Sequence, residues 1–410
     1  MKKKLIGAAV FGQSGGPTSV INSSAYGVIR TALDAPEITH VYGAAHGIVG
    51  VLNDNLYDMS KEDAHELKLL MNTPSSELGS CRYKLKEEKE LERIHEIFEK
   101  YNVRYFFYNG GNDSMDTCSK VNDYLQRVGY ECRVMGVPKT IDNDLVGTDH
   151  CPGFGSAAKY IATTVSEVYK DCHVYDTGTI TIIEIMGRHA GWLTGASALA
   201  GIDGVGPDYI YLPEVAFDMD DFLNNVEKTF KEKNNCLVAV SEGVMDKDGT
   251  FIAQAQVSAT DGFGHAQLGG LATKLAYAAG QKTGAKVRGI ELSLLQRCAA
   301  HIASQTDIEE AFLAGKSAVE HAIEGNTGKM VCFTRESENG KYKCAVTYEP
   351  LSICANKEKK VPDEWISKCG TNVTQEFIDY VLPLIQGENE RVTQNGLPRF
   401  AQLKKIKAEI

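Results

Sequence analysis

The chain has 410 residues, so a typical domain size of about 150 residues gives two to three domains. Apolar residues at 43% and charged residues at 24% are near globular averages, which excludes disordered, coiled-coil and fibrous classes. The net charge of −11 opposes polyanionic partners, so we expect neither nucleic acid nor a membrane surface as a partner. No apolar run approaches the ~18 residues of a spanning helix, and we expect a cytoplasmic protein.

Short β-branched or aromatic runs recur along the chain, and each is followed by a turn and then by a helical pattern. Because these runs are almost continuously apolar, they indicate parallel strands that are buried on both faces. The predicted strands cover residues 5–12, 40–45, 104–111, 132–138, 179–187, 208–214, 236–243 and 286–293.

Helices are predicted at 88–101, 218–233 and 306–325, where apolar residues recur at three- and four-residue spacing. The alternation of strands and helices predicts an α/β architecture with mostly parallel sheets, whose sites lie at the carboxyl ends of the strands. After about residue 350 the chain becomes polar and Lys-rich, and a further helix is predicted at 374–386. We expect this tail to pack on the outside.

The 11 cysteines are scattered without a C-x-x-C pair, which indicates reduced, mostly buried thiols.

Two Gly-rich turns follow predicted strands. The first, GQSGGPTSVIN at 12–22, leads into a helix and offers free N–H groups to a phosphate, although a tight connection explains it equally well. It lacks the lysine of a Walker loop. The second is Gly110-Gly111-Asn112-Asp113-Ser114. The fingerprint-like GFGSAA at 153–158 does not follow a strand, and we interpret it as a helix start.

The segment PKTIDND at 138–144 places Lys139, Thr140, Asp142 and Asp144 directly after a buried strand. Asp and Asn are ordinary turn residues, but phosphoryl transfer needs a base and nearby cations, and this loop supplies both. Arg188 follows another predicted strand and provides a guanidinium suited to phosphate oxygens, whereas we interpret His189 beside it as structural.

Together these motifs resemble the 6-phosphofructokinases. The shared segments, in the order and approximate spacing of that family, are GGPTSVIN, LGSCR (78–82), GGNDS, PKTIDND, PGFGSAA, EIMGR, VSEG and Arg288 with Arg297. The resemblance runs from about residue 4 to residue 330. It implies transfer of a phosphoryl group to O1 of fructose 6-phosphate, in a cleft between two Rossmann-like domains with mostly parallel sheets. Residues 1–153 plus about 297–350 would form a phosphoryl-donor domain, residues 154–296 a sugar-phosphate domain, and residues 351–410 a C-terminal extension.

The resemblance also implies roles for single residues. Gly15 and Arg82 match donor-phosphate contacts, Asp142 matches the base that takes the O1 proton, and Arg188 matches a cation against the transition-state charge. The matching contacts to the transferred group and the sugar phosphate are Thr140, Ile141, Met186, Gly187, Glu242 and Arg297.

In this family a residue matching Arg288 reaches the 6-phosphate from a neighbouring subunit, which implies a homodimer or homotetramer. Three positions depart from the family pattern. Asn112 stands where an Asp near Mg²⁺ is usual, so the ion expected as cofactor would be held mainly by the donor's oxygens. Leu294 replaces a His or Tyr that often binds the sugar phosphate. Thr179 replaces an Arg of the bacterial ATP-dependent enzymes.

Asp113 and Lys139 indicate the donor. ATP-using members carry Gly at the position of Asp113, and a carboxylate there would repel the α-phosphate by on the order of 4 kcal/mol at ~4 Å. The ammonium of Lys139 would balance charge on a leaving phosphate. We therefore expect reversible transfer from diphosphate, giving fructose 1,6-bisphosphate and phosphate in glycolysis. An ATP-dependent phosphofructokinase and a non-catalytic sugar-phosphate-binding regulatory subunit remain as alternatives.

Overall fold

The computed structural model describes residues 5–253 and 268–409. Its strands, in chain order, are β1 (Gly7–Gln13), β2 (Ile38–Ala44), β3 (Leu56–Asp58), β4 (Val103–Gly110), β5 (Arg133–Pro138), β6 (Ile180–Ile185), β7 (Tyr209–Tyr211), β8 (Cys236–Ser241), β9 (Val287–Glu291), β10 (Lys329–Glu338), β11 (Lys341–Pro350), β12 (Thr393–Gln394) and β13 (Leu397–Pro398). Its α-helices are α1 (Ile21–Asp34), α2 (Ile48–Leu52), α3 (Ala64–Leu69), α4 (Glu88–Lys100), α5 (Asn112–Arg127), α6 (Phe154–Cys172), α7 (Trp192–Ala196), α8 (Met219–Lys233), α9 (Leu271–Thr283), α10 (Leu295–Cys298), α11 (Gln305–Ile323), α12 (Leu351–Cys354) and α13 (Gln375–Val381).

The first sheet has the strand order β11-β10-β5-β4-β1-β2-β3. Its inner strands run parallel to one another, whereas the edge strands β3 and β11 are antiparallel to their neighbours. The second sheet has the order β7-β8-β6-β9 and is parallel throughout. The expected α/β architecture with mostly parallel sheets is therefore confirmed.

The inner strands of both sheets are covered on both faces, which explains why strands such as β1, β6 and β8 are apolar at nearly every position. In β1, Ala8 and Val10 belong to the core on one face of the sheet, while Ala9 and Phe11 belong to the core on the other. In the same way β6 contributes residues to both cores of the second sheet. These strands form rigid supports, and the loops at their carboxyl ends carry the polar residues.

The eight strands expected from the sequence are all found, with bounds shifted by a few residues. The helices expected at 88–101, 218–233 and 306–325 correspond to α4, α8 and α11, and the helix expected at 374–386 is α13 followed by a 3₁₀ turn. The side chain of Asp218 caps α8 by accepting hydrogen bonds from the N–H groups of Asp220 and Asp221. The sequence analysis missed the β10–β11 hairpin, which completes one edge of the first sheet.

No helix in residues 5–253 and 268–409 has the length and apolar character needed to cross a bilayer. All of the cysteines are free thiols, and most of them are buried.

Candidate active site

A cleft of about 880 Å³ lies where loops that follow β1, β4 and β5 face loops that follow β6 and β8. The carboxyl ends of parallel strands in the two sheets thus meet at one place, which is where α/β folds bind ligands. The sequence-predicted residues in its lining are Gly15, Arg82, Asn112, Asp113, Lys139, Thr140, Ile141, Asp142, Met186, Arg188, Glu242 and Arg297.

Hydrogen bonds from the buried side chain of Asn143 anchor the loop that carries Asp142. Asn143 is fully buried with a φ of 55°, its side-chain N–H₂ donates to Tyr380 Oη at 2.8 Å, and its Oδ1 accepts from the N–H of Cys151 at 2.9 Å. On either side of this anchor, Asp142 and Asp144 line the cleft. Thr140 Oγ1 accepts from the N–H of Asp142 at 3.1 Å, which fixes the turn.

Lys139 connects this loop to the Gly-rich turn after β1. Its side chain is buried, and Nζ donates to the carbonyl oxygen of Gly16 at 2.6 Å. Gly15 has a φ of 76°, and a Cβ there would lie 3.2 Å from Lys139 Nζ. A side chain at position 15 would therefore strain the backbone and crowd the ammonium. Without a side chain at this position, a phosphate group can come close to the backbone N–H groups of the turn.

Three carboxyl groups of the cleft, those of Asp142, Asp144 and Glu242, are poorly solvated. Burial raises the pKa of Asp144 to about 7, and the nearby Asp142 acts in the same direction. Burial raises the pKa of Glu242 to about 7 and also raises the pKa of Asp142, against the opposing charge of Lys139. The same burial lowers the pKa of Lys139 to about 8. The pKa values of Asp144, Glu242 and Lys139 thus lie close to neutral pH, as is common for groups of an active site.

The amino end of α5 points into the cleft. Asn112, Asp113 and Ser114 form its first turn and line the cleft, so the free N–H groups and positive dipole end of this helix face the cleft. The carboxylate of Asp113 lies in an ion pair, with Oδ1 2.9 Å from Lys84 Nζ. Lys84 itself was not singled out from the sequence.

Asn112 and Asp144 could hold a divalent metal ion. Nδ2 of Asn112 donates to Asp144 Oδ2 at 3.2 Å, while Oδ1 of Asn112 is buried and has no hydrogen-bond partner. An unsatisfied buried oxygen beside a carboxylate is the kind of donor set that Mg²⁺ prefers. The residues present therefore fit such an ion.

The second sheet supplies the opposite wall. Met186 and Arg188 follow β6, and Glu242 follows β8. Gly187 is absent from the lining but adjoins it, because its N–H donates to Glu242 Oε1 at 3.4 Å. The N–H of Met186 donates to Gln296 Oε1 at 3.2 Å, which ties this wall to the segment that carries Arg297.

Arg288 is the sequence-predicted residue that this chain does not bring to the cleft. It is exposed on the edge strand β9, in a separate recess of about 400 Å³ that also contains Glu167 and Asp171 of α6. Within the single chain, the structure therefore provides no 6-phosphate contact from Arg288.

The sequence analysis missed part of the lining. The tail was expected to pack on the outside, but Asn356, Lys357 and Glu358 line the cleft. The polar, Lys-rich sequence around them did not indicate a place in the cleft, because such sequences are typical of solvent-exposed surface. His189, interpreted as structural, also lines the cleft, and its ring lies 6.3 Å from that of Phe251.

Comparison with known proteins gives consistent matches. A protein of Xanthomonas campestris pv. campestris named pyrophosphate–fructose 6-phosphate 1-phosphotransferase is 45% identical over 411 residues, which cover 98% of this chain and 97% of the relative. A protein of the same name from Halomonas elongata is 43% identical over 409 residues, with 98% and 97% covered. Among solved structures, the fold is similar to that of a pyrophosphate-dependent phosphofructokinase from Nitrosospira multiformis, with a TM-score of 0.91, 39% identity and 98% of each chain covered.

The phosphofructokinase family matches residues 8–320, which include most of the cleft described above. The two-sheet fold agrees with that of the similar solved structures over almost the whole chain. The polar groups that motif and spacing indicated lie together in one cleft, apart from Arg288. The chain belongs to the phosphofructokinase family.

Proposed function

We propose that this chain transfers a phosphoryl group from diphosphate to O1 of fructose 6-phosphate, giving fructose 1,6-bisphosphate and phosphate, in a reversible reaction. The observation that carries the choice of donor is the Asp113 carboxylate, which lies in the first turn of α5 and faces the cleft. An anion there opposes the α-phosphate of a nucleotide and leaves room for the shorter diphosphate. The names of the similar proteins support the same donor and the same sugar.

In this reaction Asp142 takes the proton from the O1 hydroxyl, and O1 attacks the nearer phosphorus of diphosphate. The bond from that phosphorus to the bridging oxygen breaks, and the electron pair leaves with the second phosphate. Lys139 balances the charge that develops on this leaving group, and Arg188 balances the charge on the transferred group. Gly15 and Arg82 bind the donor, while Thr140 and Ile141 adjoin the transferred group.

Phosphofructokinases generally use a divalent metal ion, and we propose Mg²⁺ for this chain. Asn112 Oδ1 and the carboxylate of Asp144 would hold the ion beside the donor. When bound, it supplies positive charge that neutralises the diphosphate oxygens. We also propose that the part of the chain around the first sheet binds the donor and that the part around the second sheet binds the sugar phosphate.

On the sugar side, Met186 and Gly187 adjoin the substrate, Glu242 accepts hydrogen bonds from the sugar hydroxyls, and Arg297 binds the 6-phosphate. We propose that Arg288 completes this phosphate site in a neighbouring subunit, since it is exposed and remote from its own cleft. This requires at least a homodimer. The cytoplasmic location stays a prediction from the sequence.

Two alternatives compete with this function. An ATP-dependent enzyme would need the Asp113 side chain turned away from the cleft, whereas it faces the cleft and pairs with Lys84. A non-catalytic binding subunit has no need of Asp142, Arg188 and Lys139 together. A coupled assay with fructose 6-phosphate and Mg²⁺ separates all three, because activity should appear with diphosphate and be far lower with ATP. Activity with ATP alone, or with neither donor, would overturn the proposal.

A further inference from the structure

Residues 356–358 of the C-terminal extension form part of the cleft wall, and hydrogen bonds fix them on both sides. Nδ2 of Asn356 donates to Asp116 Oδ1 at 3.1 Å, on α5 just after its first turn. Glu358 pairs with Leu145 in an antiparallel bridge, and the N–H of Lys359 donates to the carbonyl oxygen of Asp144 at 2.7 Å. The segment thus runs from the start of α5 to the loop that carries the catalytic aspartates.

The chain beyond this segment is held equally firmly. Nζ of Lys359 donates to the carbonyl oxygens of Thr148 and Asp149, at 3.1 and 2.7 Å. Nε1 of Trp192, in the core of the second sheet, donates to the carbonyl oxygen of Lys359 at 2.9 Å. Lys357 therefore sits on a backbone that is tied to both halves of the cleft, although its own side chain is exposed.

Lys357 differs in its partners from Lys139, the other lysine in the cleft lining. Lys139 donates to the carbonyl oxygen of Gly16, and Lys84, which is outside the lining, is paired with Asp113. Within residues 5–253 and 268–409, by contrast, Lys357 has neither an ion pair nor a hydrogen bond from its side chain. Its ammonium is available to a ligand in the cleft.

The charges around Lys357 show which ligand it suits. This end of the cleft contains the carboxylates of Asp113, Asp144 and Glu358, so an incoming polyanion needs additional positive charge there. The neighbours of Lys357 on both sides contact the elements that carry Asn112, Asp113 and Asp144. The sugar-side groups Glu242 and Arg297 instead come from the second sheet and from α10.

We propose that Lys357 binds the donor, through the phosphate of diphosphate that is released as inorganic phosphate. This inference rests on the proposed function, because it requires diphosphate as the donor. It assigns to the C-terminal extension, which lies beyond the matched family region of residues 8–320, a direct part in recognising the substrate. In the reverse reaction the same ammonium would bind inorganic phosphate.

Kinetics in both directions test this role, with Lys357→Ala compared with Lys360→Ala. Lys360 is an exposed lysine of the same segment but lies outside the cleft lining, so it is a matched control. We expect Lys357→Ala to raise the KM for diphosphate about 10-fold, as loss of an exposed charge-assisted hydrogen bond would. The KM for phosphate in the reverse reaction should rise similarly. The KM values of both sugar phosphates should stay within about twofold, and Lys357→Arg should recover most of the affinity.

The outcomes separate the inference from the function on which it rests. A parent enzyme that works only with ATP refutes both. A parent active with diphosphate, with Lys357→Ala indistinguishable from Lys360→Ala, refutes the inference alone. A selective rise in the KM for fructose 6-phosphate also refutes it, since it would place Lys357 on the sugar side. A fall in kcat for both Ala and Arg variants without any change in KM would indicate a purely structural role and overturn the proposal.

Discussion

We propose that Asp113 controls the choice of donor, and the substitution Asp113→Gly tests this role most directly. The substitution removes the carboxylate that faces the cleft from the first turn of α5, together with the anionic partner of Lys84 at 2.9 Å. The repulsion that opposes a nucleotide α-phosphate should then disappear. The kcat/KM for diphosphate, the donor that we propose, should increase much less than that for ATP.

The size of the effect follows from Coulomb's law. Two unit charges ~4 Å apart at an effective dielectric of about 20 interact by ~4 kcal/mol, which corresponds to roughly 1,000-fold in a rate constant ratio. Lys84 neutralises part of this charge, and the Asp113 side chain is 23% exposed, so solvent screens it further. We therefore expect the ratio of kcat/KM for ATP to that for diphosphate to rise about 30- to 100-fold.

The assay measures kcat/KM for both donors in the parent, Asp113→Gly and Asp113→Asn. Because only the ratio of the two donors is compared, general damage to folding or to sugar binding cancels. Asp113→Asn keeps the volume and removes the charge, so it should show the electrostatic part of the shift without the gain in space. The switch should be incomplete, since removing an obstacle does not build contacts to adenine. An unchanged ratio, or a parent that already prefers ATP, would refute the assignment of donor choice to Asp113.

Three further predictions concern Asp142, Arg288 and Lys139. Asp142→Asn should lower kcat by ~10²- to 10⁴-fold with fructose 6-phosphate binding intact, and retention of more than half of the parent's turnover would exclude Asp142 as the base. Inactive Asp142→Asn chains co-refolded with Arg288→Ala chains should regain activity, because each hybrid contains one intact shared site; verified hybrids without activity would contradict sharing. The alkaline limb of kcat/KM for diphosphate should lie near pH 8, where Lys139 loses its proton, and should move upward in Lys139→Arg because guanidinium stays charged. If the alkaline limb of an active Lys139→Arg variant stays near pH 8, the limb reports the titration of another group.

Much of the candidate site could be predicted because its residues directly follow buried strands. Asp113, Lys139 and Asp142 each come just after an apolar run, so strand prediction alone places them at a sheet edge. Arg82 and Arg297 do not directly follow strands of the sheets, and only the family resemblance indicated them. Their approach to the cleft depends on long-range packing, which spacing along the chain does not encode.

Other parts escaped prediction for physical reasons. Residues 356–358 are polar and Lys-rich, and this composition is identical for a solvated surface and for the wall of a wet cleft. The β10–β11 hairpin did carry a signal, since Asn339 and Gly340 between alternating residues are typical of a tight hairpin turn. Both residues have positive φ, at 55° and 76°. That dipeptide predicts the hairpin, although not the sheet that it joins.

The first sheet is formed by strands from two distant parts of the sequence, and this has a consequence for how the chain folds during synthesis. Its strands up to Pro138 are made first, but β10 pairs with β5 only after Lys329 has been added. At about 5–20 residues per second, ribosomes need roughly 10–40 s for the residues between these points. The second sheet is complete once Glu291 emerges, so all of its strands are available earlier. Throughout that interval β5 is an open apolar edge, the kind of surface that chaperones protect.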